Sequence, residues 1–311
     1  MTEENRTDTP IEGVWSGLKG RPRSLNPKWF YDARGSALFD AITHQPEYYL
    51  TRCEREILEQ QGADVTRWIG PDMVLAELGP GNGEKAVLLL RQLRRPSAYV
   101  PIDISPASLE AAVDGMRQAL PGIRVEALCR DFAEGVDWPQ YLTSEPRCLA
   151  FFGSTIGNME PKAAARWLAQ LRARLRPGEK MLLGVDLKKD PQLLHAAYND
   201  AAGVTAAFNL NALSHLNHAI GTDFNPDWFI HQAGYNPDQG RVEMYLQATC
   251  DQVVHVGQHV LRLERGERIH TENSYKYTLE ELRRLTESAG FATDRVWLDR
   301  QRWFSLHGLR A

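Results

Sequence analysis

The sequence predicts an α/β fold: a mainly parallel sheet with helices on both faces, joined to a second, α+β lobe. Three observations carry this. Short apolar runs alternate with helical patterns between residues 74 and 186. The first run ends in a glycine-rich turn, LGPGNGEK. After Asp190 the alternation stops, turn-rich sequence and longer alternating segments take over, and the chain closes on two strand-like runs. Apolar strands alternating with helices indicate a buried parallel sheet.

In chain order, strands are expected at 74–78, 98–103, 124–128, 149–152 and 181–186. Helices are expected at 84–93, 106–120 and 162–175. Ser105 is a natural N-cap for the second helix, and Pro177-Gly178 closes the third. Residues 192–219 read as one long helix broken near Gly203. FNPDWF and YNPDQG are turns, and 241–249 and 259–265 look like antiparallel strands. Thr278 caps a helix over 278–288, with Glu281 at the capping-box offset. Strands at 293–298 and 303–308 form a terminal hairpin. The expected division is a core of 61–194 and 278–311, a discontinuous lobe of 20–60 and 195–277, and an N-terminal tail over 1–19 whose start is disordered.

Composition bounds the function. The 311 residues are 43% hydrophobic and 24% charged, with net charge −4. That balance is ordinary for a globular enzyme and gives no sign of a nucleic-acid partner. No apolar run is long enough to span a membrane, and MTEENRTDTP has no secretory h-region. Cys53, Cys129, Cys148 and Cys250 are scattered, without a CxxC pair, so neither a disulfide framework nor a metal site is expected, and the cytoplasm is the expected location. His215 and His218 share a helix face but lack a third ligand at a matching offset.

The glycine turn narrows the cofactor. Its spacing is Gly79, Gly81, Gly83, not the GxGxxG of dinucleotide folds, and no Walker pattern is present. Glu77 stands two residues before the first glycine. A carboxylate there sits badly beside a pyrophosphate but suits a ligand with an ammonium group. In YVPIDIS, Asp103 ends the second strand, where a carboxylate can accept two ribose hydroxyls. In CRDFAEG, Asp131 and Phe132 follow the third strand and can bond and flank an adenine. Together they predict a class I methyltransferase fold (Rossmann-like) that binds S-adenosyl-L-methionine. The terminal hairpin agrees. Lys85 opposes the helix dipole at its own helix start, so an acidic partner is expected: the cofactor carboxylate or Glu77.

Longer blocks add a resemblance. NPKWFYDARGSALFDAITHQPEYYLTR, ELGPGNGEK, FFGSTIGNMEP, GVDLKKD, LHAAYND, GVTAAFNLNAL and HTENSYKY together closely resemble the bacterial histidine-specific N-alpha-methyltransferases of ergothioneine biosynthesis. The likeness runs from about Leu25 to the C-terminus. It implies successive methylation of L-histidine to its trimethylammonium betaine, hercynine, with S-adenosylhomocysteine as the other product and no metal. It implies that Tyr48, Gly79, Lys85, Asp103, Asp131 and Phe132 contact the methyl donor. Asn158 and Tyr198 would hold the amine and carboxylate, with Gly153 and Thr155 nearby. Glu272 and Ser274 would grip the imidazole, and Tyr31, Phe39 and Met244 would wall the pocket. Tyr48, Asn158 and Tyr198 are the expected catalytic residues, without a dedicated base. The partner is the small amino acid, and the protein is expected to be a monomer.

The residue chemistry agrees with that reading. Glu272 and Ser274 are two apart, so on a strand they share a face. A carboxylate and a hydroxyl can satisfy both imidazole nitrogens. By themselves they also fit the polar face of an edge strand. Fungal relatives of the family act on tryptophan-type amines, so another aromatic acceptor is the alternative. A non-catalytic donor-binding module is a second alternative, and a nicotinamide oxidoreductase a distant third.

Overall fold

A computed structural model describes residues 10–132 and 145–311. It opens on helix α1 (Pro10–Lys19), which corrects the expected tail over 1–19 from Pro10 onward; residues 1–9 lie outside the described residues. Ile11, Val14, Trp15 and Leu18 recur at helical spacing. Val14 and Leu18 are buried in a cluster with Val254, Val256, Leu261 and Leu263, so the helix is held by a core of its own.

Strand β1 (Arg23–Ser24) and a 3₁₀ turn (Pro27–Phe30) lead to helix α2 (Ala33–Thr43). Asp32 caps α2 by accepting the Gly35 N–H at 2.7 Å. Helix α3 (Tyr49–Ile69) follows. Its apolar face, with Ile57, Leu58, Val65 and Ile69, packs with Leu182, Phe304 and Leu306 of the large sheet. The lobe boundary expected at residue 60 therefore falls inside α3. One continuous amphipathic face commits the whole helix to the sheet.

The alternating region folds as predicted. It runs β2 (Val74–Leu78), α4 (Glu84–Leu90), β3 (Ala98–Asp103), α5 (Pro106–Ala119), β4 (Arg124–Val125), β5 (Leu128–Cys129), β6 (Arg147–Phe151), α6 (Pro161–Ala173) and β7 (Lys180–Asp186). The single strand expected at 124–128 is two short pieces, β4 and β5, each pairing with β3. Ser105 caps α5 through the Ser108 N–H. β2 and β6 are buried at every position, as parallel strands between two helix layers must be.

Beyond β7 come α7 (Pro191–Ala197) and α8 (Val204–Ile220), separated by residues 198–203; Gly203, at a φ of +72° outside the right-handed helical range, stands immediately before α8. Five strands follow: β8 (Phe229–Asn236), β9 (Arg241–Ala248), β10 (Gln252–Val256), β11 (His259–Leu263) and β12 (Arg268–Tyr275). The sequence pattern exposes β9 and β11 clearly. β8 is an edge strand, and its burial does not alternate. Helix α9 (Leu279–Ser288) carries the predicted capping box, and β13 (Ala292–Leu298) and β14 (Phe304–Arg310) form the terminal hairpin.

Among the described residues, the large sheet has eight strands, ordered β13-β14-β7-β6-β2-β3-β4 with β5 also on β3. β7 through β4 are parallel, and β14 and β13 are antiparallel. The chain moves outward from β2 to β3 and then returns to β6 on the other side. This order reversal between β2 and β6 is where open α/β sheets bind ligands. The smaller sheet has the order β1-β12-β9-β8. Its strand β12 runs into the end of the large sheet, where Tyr277 bridges Leu187. The candidate site lies at this junction.

Candidate active site

The carboxyl ends of β2, β3 and β5 carry one half of the site. Gly79, Gly81 and Gly83 all have positive φ, at +65°, +57° and +74°. Their amides therefore sit in a tight turn that side-chain-bearing residues rarely adopt. Phe132 lies beneath the turn, since a methyl on Gly79 would stand 3.6 Å from its ring. The ring packs edge-on to Phe151 at 5.6 Å, and Trp167 Nε1 donates to the Phe132 carbonyl. Asp103 accepts the Ser105 N–H with one carboxylate oxygen. Burial raises its pKa, and the nearby Asp131 raises it further. Glu77 is fully buried; its Oε2 accepts from Tyr99 Oη at 2.5 Å and its Oε1 has no partner among the described residues. Burial pushes its pKa up to about 7.

Lys85 has a partner that the sequence did not suggest. Its Nζ donates to Glu54 Oε2 at 2.9 Å, and the same carboxylate takes the Gly153 N–H. Glu54 is fully buried on α3. A side chain on Gly184 of β7 would collide with it, at 2.0 Å from Glu54 Oε1. Glu54 thus ties α3, the α4 start and the β6 turn together. Two Lys85 hydrogens remain, so a cofactor carboxylate stays within its chemistry.

The other half is a cleft between the sheets. It spans about 520 Å³ of empty space, part of it open to solvent. Tyr31, Phe39, Tyr48, Gly153, Thr155, Asn158, Tyr198, Met244, Glu272 and Ser274 all line it. Every substrate residue proposed from the sequence is therefore in one cavity, together with Tyr48. Gly79, Asp103, Asp131 and Phe132 are not in its wall but on the adjoining strand edge. Lys85 connects the two, because its Nζ is 3.4 Å from where a Gly153 side chain would begin.

Aromatic rings form one side of the cleft. Tyr31, Phe39 and Phe208 are mutual neighbours, and Phe39 to Tyr48 and Tyr48 to Tyr198 are each 6.5 Å between centroids. Phe208, Ile42, Ser154, Ala197 and Thr205 complete the wall; sequence reasoning did not single them out. Burial holds the Tyr31 and Tyr48 phenols well above their ordinary values and raises that of Tyr198, so all three are neutral.

A β-bulge aims the other side. β12 loses register with β9 between His270 and Glu272, leaving Thr271 unpaired. Before the bulge Ile269 faces Leu246; after it Glu272 faces Met244 and Ser274 faces Val242. Val242, Met244 and Leu246 share the buried face of β9. Without the extra residue, Glu272 would point away from that face. Glu272 is 8% exposed and has no hydrogen-bond partner among the described residues. Burial raises its carboxyl to about 7, against a lowering by Lys276.

Under Ser274 lies a polar cluster. Lys276 Nζ donates to Ser274 Oγ at 2.8 Å and Tyr198 Oη at 2.9 Å and forms an ion pair with Asp186 Oδ2 at 2.8 Å. Tyr49 donates to the same Asp186 oxygen, and Lys189 pairs with the other. Burial disfavours the Lys276 charge, but Asp186 and Tyr198 outweigh it and raise its pKa. Burial also disfavours the Lys189 charge, and there it outweighs Asp186, so the pKa falls to about 8. Tyr198 donates onward to Ser274 Oγ at 2.7 Å. His231 Nε2 donates to the Tyr198 carbonyl, fixing the backbone there. The signals for these residues were the blocks GVDLKKD and HTENSYKY, which contain Asp186, Lys189 and Lys276.

The chain is 41% identical over 291 residues to the histidine N-alpha-methyltransferase of Mycolicibacterium smegmatis, covering 92% of this chain and 90% of that protein. It is 34% identical to ergothioneine biosynthesis protein 1 of Neurospora crassa, covering 90% of this chain but 32% of that longer protein. The solved structure of a possible exported protein of Bordetella parapertussis shares the fold, with a TM-score of 0.53 and 14% identity over 96% of this chain and 86% of that one. The family model for histidine-specific, S-adenosylmethionine-dependent methyltransferases matches residues 10–311, and the chain belongs to that family.

Proposed function

We propose that this protein methylates the α-amino nitrogen of L-histidine three times in succession, giving hercynine and S-adenosylhomocysteine, as the first step of ergothioneine biosynthesis. The observation that carries this reading is the Glu272 carboxylate. It is buried, unpartnered and beside Ser274 on the cleft wall, where it needs a donor such as an imidazole N–H.

The roles follow from position. The open-φ glycine turn, Asp103, Asp131, Phe132 and Lys85 fit S-adenosylmethionine: backbone approach at Gly79, ribose hydroxyls at Asp103, adenine at Asp131 and Phe132, and the carboxylate at Lys85. Bound there, it supplies a methyl group already activated on sulfonium. The chain's own task is to hold the amine in line with that methyl. Asn158 and Tyr198 hold the amino-acid end of the substrate, Tyr198 as an acceptor because its own hydrogen goes to Ser274, and Tyr48 borders the transfer path. Such positioning is worth up to ~7–11 kcal/mol. Neutral phenols make poor bases, so the amine loses its proton to solvent. The ring of Tyr31, Phe39, Phe208 and Tyr48 suits a trimethylammonium product through cation–π attraction. The proposal includes a monomer acting in the cytoplasm, with a small-molecule partner.

The test is one incubation of pure protein with S-adenosylmethionine and an equimolar amino-acid mixture, read by mass spectrometry. Histidine carrying one, two and then three methyl groups is expected, with tryptophan spared. Methylation of a different amino acid would overturn the Glu272–Ser274 assignment. Donor binding without any methyl transfer would leave a non-catalytic module.

A further inference from the structure

The hydrogens around Ser274 can be assigned one by one. Lys276 Nζ has three, and three acceptors surround it: Asp186 Oδ2, Ser274 Oγ and Tyr198 Oη. Tyr198 Oη has one, and donates it to Ser274 Oγ. A hydroxyl oxygen accepts twice, so Lys276 and Tyr198 fill the Ser274 oxygen. Only the Ser274 hydrogen is left for a ligand in the cleft.

We propose that Lys276 is a specificity-determining positioning residue: by filling the acceptor sites of Ser274 it makes that hydroxyl a donor only, so the cleft takes the substrate ring as neutral imidazole and rejects imidazolium. This deepens the histidine reading and rests on it. A neutral imidazole has one bare nitrogen for Ser274 and one N–H for Glu272. Imidazolium has two N–H groups and would set a donor against a donor.

The surrounding charges agree. Asp186, from the end of β7, is shared by Lys276 and Lys189 and has no spare attraction for a cation. Tyr48 and Tyr49 of the α3 start, Tyr31 before α2 and Tyr198 after α7 are phenols that burial keeps neutral. Lys85, beside Gly153 of the cleft wall, is paired with Glu54, and Glu272 on β12 is left facing the ring, its carboxyl held up by burial. The simple alternative is an imidazolium–Glu272 ion pair, which predicts the opposite pH dependence.

The experiment compares two ligands by calorimetry, with S-adenosylhomocysteine present, at pH 5 and pH 8. One is L-histidine. The other is 1,2,4-triazolylalanine, whose ring offers the same donor and acceptor but stays neutral across this range. Their shared amino and carboxyl groups, and Glu272 itself, cancel in the ratio of the two affinities. A histidine side chain titrates near 6.5, so the ratio is expected to move about thirtyfold toward the triazole at pH 5. A flat ratio, or one moving toward histidine, overturns the proposal while leaving histidine as the substrate. No histidine binding at either pH, with S-adenosylhomocysteine bound, overturns the histidine reading itself. Lys276→Met returns an accepting site to Ser274 and is expected to shrink the shift severalfold. Tyr198→Phe frees the other site and does the same if Lys276→Met does not fold. An undiminished thirtyfold shift in a folded Lys276→Met protein would remove Lys276 from the explanation.

Discussion

Lys276 and Asp186 form an ion pair of 2.8 Å in which both side chains are fully buried. Lys189 shares the same carboxylate. Removing one member of a buried pair leaves an uncompensated charge, which costs more than the pair itself contributes. Asp186→Ala strands two cations, and a loss of ~3–5 kcal/mol in urea unfolding is expected. A loss below about 1 kcal/mol would mean that water reaches the cluster.

Glu272→Ala removes the acceptor for the imidazole N–H. A hydrogen bond to a charged group is worth about 1.5–3 kcal/mol. The expected result is a fall of roughly 10–150-fold in kcat/KM for histidine. A tryptophan-type acceptor, with a single indole N–H and no bare ring nitrogen, is expected to lose less. Equal losses for both would show that Glu272 supports the cleft without reading the ring.

The same carboxyl makes stability fall with pH. Burial lifts Glu272 from the ordinary 4.5 to about 7. Between those values the folded protein holds a proton that the unfolded chain has released, so stability drops as pH rises through this window and stays low above it. Glu272→Gln removes the penalty. In the ligand-free protein it is expected to stabilise by about 3 kcal/mol at pH 8 and by nothing at pH 4. Urea unfolding at the two pH values checks this, and a gain independent of pH contradicts it.

Gly157 is where the two sheets touch. A side chain on it would begin 2.7 Å from the Tyr275 carbonyl oxygen of β12. Gly157→Ala must push the turn that carries Asn158 away from Glu272 and Ser274. A destabilisation of ~1–3 kcal/mol with a larger relative drop in activity is expected. Gly13→Ala is the control. It lies within α1 with nothing within 4 Å of an added methyl, and is expected to stabilise by up to ~1 kcal/mol. Matching effects in both variants would contradict the close contact at Gly157.

Methyl transfer needs the amine neutral, and the phenols of the cleft, kept neutral by burial, are poor bases. With histidine saturating, kcat is expected to rise from pH 7 toward alkaline values as the ammonium loses its proton. A flat profile, with chemistry shown to limit the rate, would point to a base that the cleft does not reveal.

The sequence by itself determined the α/β core. β2, β3, β6 and β7 are apolar runs bounded by turns and caps, and each was legible because burial on both faces leaves a continuous apolar signal. The glycine turn, Asp103 and Phe132 were legible for the same local reason: each lies at or just past the end of a strand. Glu272 and Ser274 were legible as a pair two apart. The tertiary structure alone decided which way they point, because a single unpaired residue at Thr271 reverses the faces of β12 and leaves no mark in the alternation. It alone decided that Lys85 pairs with Glu54, on a helix 31 positions earlier, and not with Glu77. It alone assembled Asp186, Lys189, Lys276 and Tyr198 beneath Ser274. Local periodicity reports which face a residue occupies. Partners joined across two sheets are set by packing, and that information is spread over the whole chain.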